Sequence, residues 1–322
     1  MKYLKKFKFP LIVFLTGAFV LIIEVVATRI LSPYYGNTVF TVSSGDKMMS
    51  SINKQLSFGP RHPTASGHEQ IKNYLIREMG ALAQDTITQT WQYVDSEEQK
   101  YDLANIIGRF YIEKRKRIIL GAHYDSKKFA HNDKLKKEDP VPGANDSASG
   151  VAVLLEIARI IASNEMQIPV GVDIVFFDGE EGEENILGDY ANWKPLGSTY
   201  FTQNLKEYYQ SDKPEHGIVV DMVCDKDLKL TKELSSVQHA PAQTDMIWNI
   251  GRKINANNCV KEVGIEILDD HTPLNQAGIP TSLLIDFEYP AFHTTLDTID
   301  QCSKESLETV ADTIVGYLYS YK

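Results

Sequence analysis

The segment "FFDGEEGEE", from Phe176 to Glu184, places one aspartate and four glutamates directly behind an apolar run. Carboxylates this close together repel, and two that share one site cannot both ionise without cost. A divalent cation opposite them would neutralise the cluster, because a bound cation is the largest charge in its surroundings. The segment therefore predicts a metal site.

Potential metal ligands follow four apolar, β-branched runs, which read "RIILGAH", "VDIVFFD", "GIVVDMV" and "TSLLID". Such runs, separated by helical stretches, predict a mostly parallel sheet that is buried on both faces. The residues at or beyond the ends of these runs are His123, Asp178 with Glu180 and Glu181, Asp221, and Asp286 with His293. In open α/β sheets the functional site lies beyond the carboxyl ends of the strands, so these side chains are expected to meet there.

The ligand types favour zinc, which binds imidazole and carboxylate oxygen and keeps a position open in catalytic sites. Asp146 adds a carboxylate on the glycine-flanked turn "GANDSASG". Asp125 follows His123 by two residues, points to the same side of an extended chain, and can orient the imidazole from behind. Of the adjacent Glu180 and Glu181, one can bind metal while the other is held free as a general base.

The segments around these residues have simpler interpretations. An amphipathic helix with Ile71, Leu75 and Met79 on one face is expected after "SFGPRHPTASG", and "SGVAVLLEIARIIA" is expected to open a helix capped by Asp146 or Ser147. The lysine-rich "KKFAHNDKLKKEDPVP" is interpreted as a solvated loop. Surface or turn positions are expected for five other histidines, which are His62, His68, His131, His216 and His239.

Composition and the N-terminus limit the class of protein. A formal net charge of −10 over 322 residues argues against a nucleic-acid binder, which would show a basic face. "MKYLKKFKF" is a basic flank before an apolar run, so residues 1–43 are interpreted as a membrane segment and residues 44–322 as one catalytic domain. A signal-anchor would hold that domain at the cell membrane on its extracytoplasmic side. A signal peptide cleaved near residues 25–27 would instead release it to the periplasm or the medium.

The three cysteines, Cys224, Cys259 and Cys302, have no metal-ligand spacing. They exclude a disulfide scaffold, although one pair could form in an oxidising space.

Five motifs resemble a known superfamily: "AHYDS", "GANDSASGVAVLLEIAR", "FFDGEEG", "VVDMV" and "FHTTLDT". They look like the zinc-dependent aminopeptidases of metallopeptidase family twenty-eight and their relatives, the glutaminyl cyclases. The resemblance implies a three-layer α/β sandwich of the phosphorylase/hydrolase type, with a mostly parallel central sheet flanked by helices. It implies one zinc at Asp146, Glu181 and His293, a second at His123 and Asp221 in the peptidases, Glu180 as general base, and Asp125 behind His123.

Several segments resemble the cyclases in particular: "HYDSKKFAHN", "FGPRHPTASG" and "DDHTPLNQAGIP". In cyclases the first acid of the last segment, here Asp269, lies in the active site, and the five ligand-type residues hold one zinc. The aromatic residues favour the peptidases, because Ile186 and Phe292 stand where cyclases have tryptophan. Trp193, Tyr289 and Phe292 stay candidates for the walls of a substrate pocket.

The leading hypothesis is a zinc-dependent glutaminyl-peptide cyclotransferase that converts N-terminal glutamine to pyroglutamate and releases ammonia. The alternative is a zinc aminopeptidase that hydrolyses the first peptide bond. Both act on peptide or protein N-termini, the first with one zinc ion and the second with two. A third hypothesis, a non-catalytic domain that keeps zinc for its structure, would normally lack the base or the ligands, which are all present here.

Overall fold

A computed structural model of the chain describes residues 43–95, 98–163, 168–182, 193–210 and 212–321. These residues lie in one compact unit, Val42–Lys322. The predicted membrane segment, residues 1–43, and the position of Ile186 lie outside the described residues, apart from Ser43. Within the described ranges, no helix has the length and apolar character needed to cross a membrane.

Helices and strands alternate along most of this unit. The helices are α1 (Gly45–Leu56), α2 (Ser66–Leu82), α3 (Ala148–Ala162), α4 (Leu196–Gln203), α5 (Leu205–Tyr209), α6 (Leu234–His239), α7 (Pro241–Ile254), α8 (His271–Gln276) and α9 (Lys304–Ser320). The strands are β1 (Asp85–Val94), β2 (Lys100–Phe110), β3 (Arg117–His123), β4 (Gly171–Phe177), β5 (His216–Asp221), β6 (Leu230–Lys232), β7 (Cys259–Val263) and β8 (Thr281–Ile285). A 3-10 turn, Ile299–Gln301, precedes α9.

The central sheet has the strand order β1-β2-β4-β3-β5-β8 and is flanked by helices. The four predicted strands form its parallel part, in which β3 pairs with β4 and β5, and β5 pairs with β8. All residues of β3 and β4 are buried, as expected for strands covered on both faces. The fold is therefore a mixed α/β fold.

The antiparallel hairpin of β1 and β2 was not predicted from the sequence, and it makes the sheet less parallel than expected. β2 pairs antiparallel with both β1 and β4. β1 lies at the sheet edge, and only one of its ten residues is buried. A strand this exposed does not need the continuous apolar run by which the four central strands were recognised.

The two predicted helices α2 and α3 form as expected, but the predicted cap of α3 at Ser147 does not form. Ile71, Leu75 and Met79 of α2 are fully buried. α3 begins after Ser147, whose side chain makes no cap hydrogen bond. The Ser147 hydroxyl instead donates to the Asp125 carbonyl oxygen over 2.7 Å, so this side chain ties the turn before α3 to the segment after β3.

A glycine lets α3 approach the sheet closely. A Cβ added at Gly150 would lie 2.3 Å from the carbonyl oxygen of Val220, a residue of β5. Real atoms do not approach this closely, so only glycine permits this packing. The close contact brings the turn that carries Asp146 next to the end of β5, where Asp221 lies.

One cysteine pair forms a disulfide. Cys224 and Cys302 are joined across a sequence separation of 78 residues, while Cys259 is free and buried. The disulfide connects the segment after β5 to the segment before α9. The Cys224 backbone amide also donates to Asn145 Oδ1 over 2.8 Å, beside the turn that carries Asp146.

Candidate metal centre

Two groups of potential metal ligands meet beyond the carboxyl ends of the parallel strands. One group is His123, Asp146 and Asp221, and the other is Asp146, Glu181 and His293. Within each group, one ligand atom per residue lies within 4.8 Å of the others. Asp146 belongs to both groups. The structure thus brings together all five residues that the sequence predicts as ligands.

The first group is fully buried at the ends of β3 and β5. His123 Nε2 lies 3.2 Å from Asp146 Oδ1 and 3.2 Å from Asp221 Oδ1. His123 is the last residue of β3 and Asp221 is the last residue of β5, and these two strands are adjacent and parallel. The geometry follows directly from the sheet register, because neighbouring parallel strands deliver their final side chains to the same edge.

The second group combines the turn before α3, the turn after β4 and the segment after β8. His293 Nε2 lies 3.3 Å from Asp146 Oδ2 and 3.5 Å from Glu181 Oε2. His293 adopts a φ of +54°, which is uncommon for a residue other than glycine. Backbone conformations of this kind are held where the surrounding structure specifies them strongly, as at functional sites.

The donor set fits zinc. Two imidazoles and three carboxylates are zinc ligands by type, and Asp146 can offer one oxygen to each group. Glu181 Oε1 is buried and has no hydrogen-bond partner among the described residues. A buried carboxylate oxygen without a partner is costly, and a cation would satisfy it.

The pKa values show how these residues balance their charges without a cation. Burial alone would raise the pKa of Asp146, but hydrogen bonds from His123 and His293 hold it far below its usual range. Burial alone would lower the pKa of His293, yet the nearby Glu181 and Asp146 carboxylates raise it to about 9. The raised pKa favours a protonated His293 ring opposite these carboxylates. Ligands must lose their protons to bind a metal, so zinc uptake is expected to release protons.

Asp125 lies behind this centre and contacts both the His123 ring and the turn that carries Glu180 and Glu181. Its Oδ1 lies 3.3 Å from His123 Nδ1, the ring nitrogen that faces away from Asp146 and Asp221. The backbone amides of Glu180 and Glu181 donate to its two oxygens over 3.1 and 3.3 Å. Asp125 therefore orients the His123 ring and fixes the turn that carries the paired glutamates.

Glu180 is the candidate general base, and other acids surround it. The side chain is nearly buried, with 8% of the residue exposed. Burial raises the pKa of Glu180 well above its usual range, and the charges of Asp269 and Glu181 raise it further, against a lowering effect of His123. A carboxylate whose pKa moves toward neutrality is suited to accept and return a proton.

Asp269 and Asp270 precede α8 and are both buried. Burial raises the pKa of Asp269 to about 7, with a further contribution from the charge of Asp221. Neither oxygen of Asp270 has a hydrogen-bond partner among the described residues. A second acid thus lies within electrostatic reach of Glu180 and Asp221.

The three candidate pocket aromatics occupy different surroundings. Phe292 stacks on the His293 ring, with centroids 3.7 Å apart. Trp193 lies against Gly182, where an added Cβ would be 3.1 Å from the indole ring. Tyr289 is 3% exposed, and its hydroxyl donates to Asp297 Oδ1 over 2.9 Å. A role in substrate binding stays a prediction for all three.

Three further residues support this centre, and the sequence analysis did not predict any of them as part of it. Asp297 accepts the backbone amides of Asn145 and Asp146 over 2.8 and 3.1 Å and so holds the turn of the shared ligand. His131 Nε2 lies 3.0 Å from His293 Nδ1. Lys127 Nζ lies 2.9 Å from Glu181 Oε2.

An alternation that continues from the end of β3 into the next segment could have identified one of these three residues, Lys127. His123, Asp125 and Lys127 follow one another at intervals of two residues, and side chains at that spacing share one side of an extended chain. The expectation of a solvated loop is wrong at its first residue, because Lys127 is only 2% exposed.

A buried network supports the turn that carries Glu180 from the other side. His68 Nε2 lies 2.7 Å from Asp178 Oδ1, and the Tyr124 hydroxyl lies 2.6 Å from Asp178 Oδ2. His68 is 4% exposed, so the expected surface or turn position is wrong for this residue. The burial of α2 against the sheet brings His68 to the strand end, which its local sequence does not indicate.

This network predicts a pH-dependent contribution to stability. Burial alone would lower the pKa of His68, but the charge and hydrogen bond of Asp178 raise it above its ordinary value. A raised folded-state pKa stabilises the protein below the unfolded value of about 6.5, and this contribution is lost as pH rises through the folded pKa. His68→Gln is expected to cost about 1–3 kcal/mol of unfolding free energy at pH 6, and less at pH 9. Urea unfolding at both pH values checks this, and a larger cost at pH 9 would contradict it.

Comparisons with known proteins agree with this geometry. The model of Peptidase family M28 matches residues 105–318. Aminopeptidase YwaD of Bacillus subtilis (strain 168) is 28% identical over 311 residues, which cover 89% of this chain and 59% of that protein. The chain therefore spans less than two thirds of the length of this relative.

Solved structures with two different activities share the fold. A glutaminyl cyclase of Tannerella forsythia has a TM-score of 0.80 and 31% identity, covering 87% of this chain and 100% of its own. A Zn-dependent exopeptidase from Parabacteroides distasonis ATCC 8503 has a TM-score of 0.81 and 28% identity, covering 88% and 100%. Similarity at this level does not separate the two activities, because both occur among the relatives.

Proposed function

Because the chain belongs to Peptidase family M28, we propose that it is a zinc-dependent enzyme of peptide N-termini, and specifically a glutaminyl-peptide cyclotransferase. The proposal of a cyclotransferase rests on one observation. The buried acid Asp269 lies close enough to Glu180 to raise the pKa of Glu180. The motif "DDHTPLNQAGIP", which looks like a cyclase segment, supplies this acid.

The centre provides one group for each step of an intramolecular cyclisation. A zinc ion held by Asp146, Glu181 and His293 would act as a Lewis acid on the γ-carbonyl of an N-terminal glutamine. Glu180 takes a proton from the α-amine as its nitrogen bonds to the γ-carbon. Glu180 then returns the proton to the amide nitrogen, whose bond to the γ-carbon breaks, and ammonia leaves. Asp269 hydrogen-bonds the departing nitrogen.

The alternative proposal is an aminopeptidase, which the first ligand group favours. His123, Asp146 and Asp221 are buried and close enough together to hold a second cation. Here Glu180 would take its proton from a water molecule that attacks the first peptide bond. Asp221 or Asp269 would then hold the free α-ammonium group of the substrate.

One assay separates these activities. The purified, zinc-loaded protein is incubated with a Gln-Xaa peptide and a Leu-Xaa peptide, and mass spectrometry follows both products. Loss of ammonia from the glutamine peptide, with the leucine peptide unchanged, is the expected result. Release of free leucine or glutamine would establish the aminopeptidase instead. Absence of any turnover would favour the non-catalytic domain.

We also propose an extracytoplasmic location for the catalytic domain, on the basis of the basic flank and apolar run at the N-terminus. Membrane fractions washed at alkaline pH separate an anchored protein from one released after signal cleavage.

A further inference from the structure

A buried lysine contacts one of the candidate zinc ligands. Lys127 Nζ lies 2.9 Å from Glu181 Oε2, and both side chains are only 3% exposed. The backbone of Lys127 is held as well, because its carbonyl oxygen accepts the Val141 amide over 3.0 Å. A buried charge without a partner is costly, so the ammonium and the Glu181 carboxylate stabilise each other at this position.

The lysine adds a positive charge to a centre that must also hold a cation. Glu181 Oε2, its partner atom, also lies 3.5 Å from His293 Nε2 in the second ligand group. Once Asp146 and Glu181 neutralise one bound dication, the ammonium leaves an excess of positive charge beside them. Asp221 is then the one carboxylate of the two groups left to oppose a second dication, which would have to share Asp146.

We propose that Lys127 limits the centre to a single tightly bound zinc ion. This inference rests on the proposed cyclotransferase function, which uses one zinc. The five ligand residues can form two adjoining sites, so ligand count alone does not determine how many ions bind. The Lys127 ammonium determines the number of bound ions, because its positive charge repels a second dication. This repulsion is strong, since charges interact strongly in a water-excluded region.

Zinc stoichiometry tests this role directly. The full-length protein and its Lys127→Met variant are dialysed to equilibrium at several fixed concentrations of free zinc chloride, and bound zinc is measured by atomic emission. The wild-type protein is expected to bind one zinc per chain. K127M, which keeps the length of the side chain without its charge, is expected to bind two, with the second Kd at least about tenfold lower than in the wild type.

Lys128→Met is the matched control, since Lys128 is the next residue and its ammonium lies over the Phe129 ring at 5.1 Å. It is expected to keep one zinc. A merely structural role for Lys127 would make K127M bind less zinc, so a gain is specific to charge repulsion. Two zinc ions in the wild type, or one or none in K127M, would overturn the proposal. The peptide assay is separate: hydrolysis of the leucine peptide would reject the cyclotransferase, whatever the zinc stoichiometry.

Discussion

Glu180→Gln is expected to lower kcat by about 10²–10⁴-fold on whichever N-terminal substrate the enzyme turns over. The substitution keeps the size and shape of the side chain but removes its capacity to take a proton. Glu180 serves as the proton carrier in both the cyclase and the aminopeptidase mechanism. The expected loss therefore does not depend on which of the two is correct.

The zinc content of the Glu180→Gln variant shows whether activity is lost because the general base is missing or because the metal centre no longer binds zinc. Glu180 belongs to neither ligand group, so the variant is expected to bind as much zinc as the wild type. Glu181→Gln is the paired control, because it changes the adjacent residue in the same way but removes a ligand oxygen, and it is expected to lose zinc as well as activity. Substantial turnover by Glu180→Gln at full zinc content would rule out Glu180 as the base.

The parts of the centre that depend on sheet topology could be predicted from the sequence. His123 and Asp221 end parallel strands, and a parallel sheet places such ends together whatever the loops do. The four apolar runs identified those strands because a strand covered on both faces needs apolar residues at nearly every position. Three of the five predicted ligands, His123, Glu181 and Asp221, therefore required no knowledge of side-chain packing, unlike the turn of Asp146 and the loop of His293.

Two supporting residues, Asp297 and His131, could not be predicted, because their contacts join distant parts of the chain. Asp297 holds a turn that lies 151 residues before it, and His131 reaches a ring 162 residues away. Lys127 begins a segment rich in lysine, and that composition indicates solvent exposure. The spacing of Lys127 from His123 and Asp125 indicates the opposite, and the fold shows that Lys127 turns inward, to the edge where the ligands meet.

The sequence does not determine which positive group lies opposite the carboxylate cluster. Crowded carboxylates indicate that something positive must oppose them, but not whether it is an ion, a protonated imidazole or an ammonium group. The structure places an imidazole and an ammonium group there: His293 lies beside Asp146, and Lys127 lies beside Glu181. The carboxylate cluster is thus balanced partly by side chains of the protein itself.

Asp146→Asn is expected to weaken zinc binding by more than about 100-fold, which exceeds the effect of losing a supporting hydrogen bond. Asp146 is shared by both ligand groups, so no other single substitution removes an oxygen from each. Its carboxylate is also the one held ionised between His123 and His293, which keeps its pKa far below the usual range. An asparagine at this position has one neutral oxygen and cannot bridge two groups.

Thermal unfolding with and without zinc measures the same loss independently of catalysis. A ligand at about 100 times its Kd stabilises the folded state by about 2.7 kcal/mol, so added zinc should raise the Tm of the wild type. Asp146→Asn should show no such rise at the same zinc concentration. Asp221→Asn is the matched comparison, since it removes an oxygen from the first group only. If the centre holds one zinc at Asp146, Glu181 and His293, Asp221→Asn keeps most of the zinc-dependent rise in Tm. An equal loss in both variants would mean that the first group also binds zinc, and a normal rise in Asp146→Asn would show that this carboxylate is not a ligand.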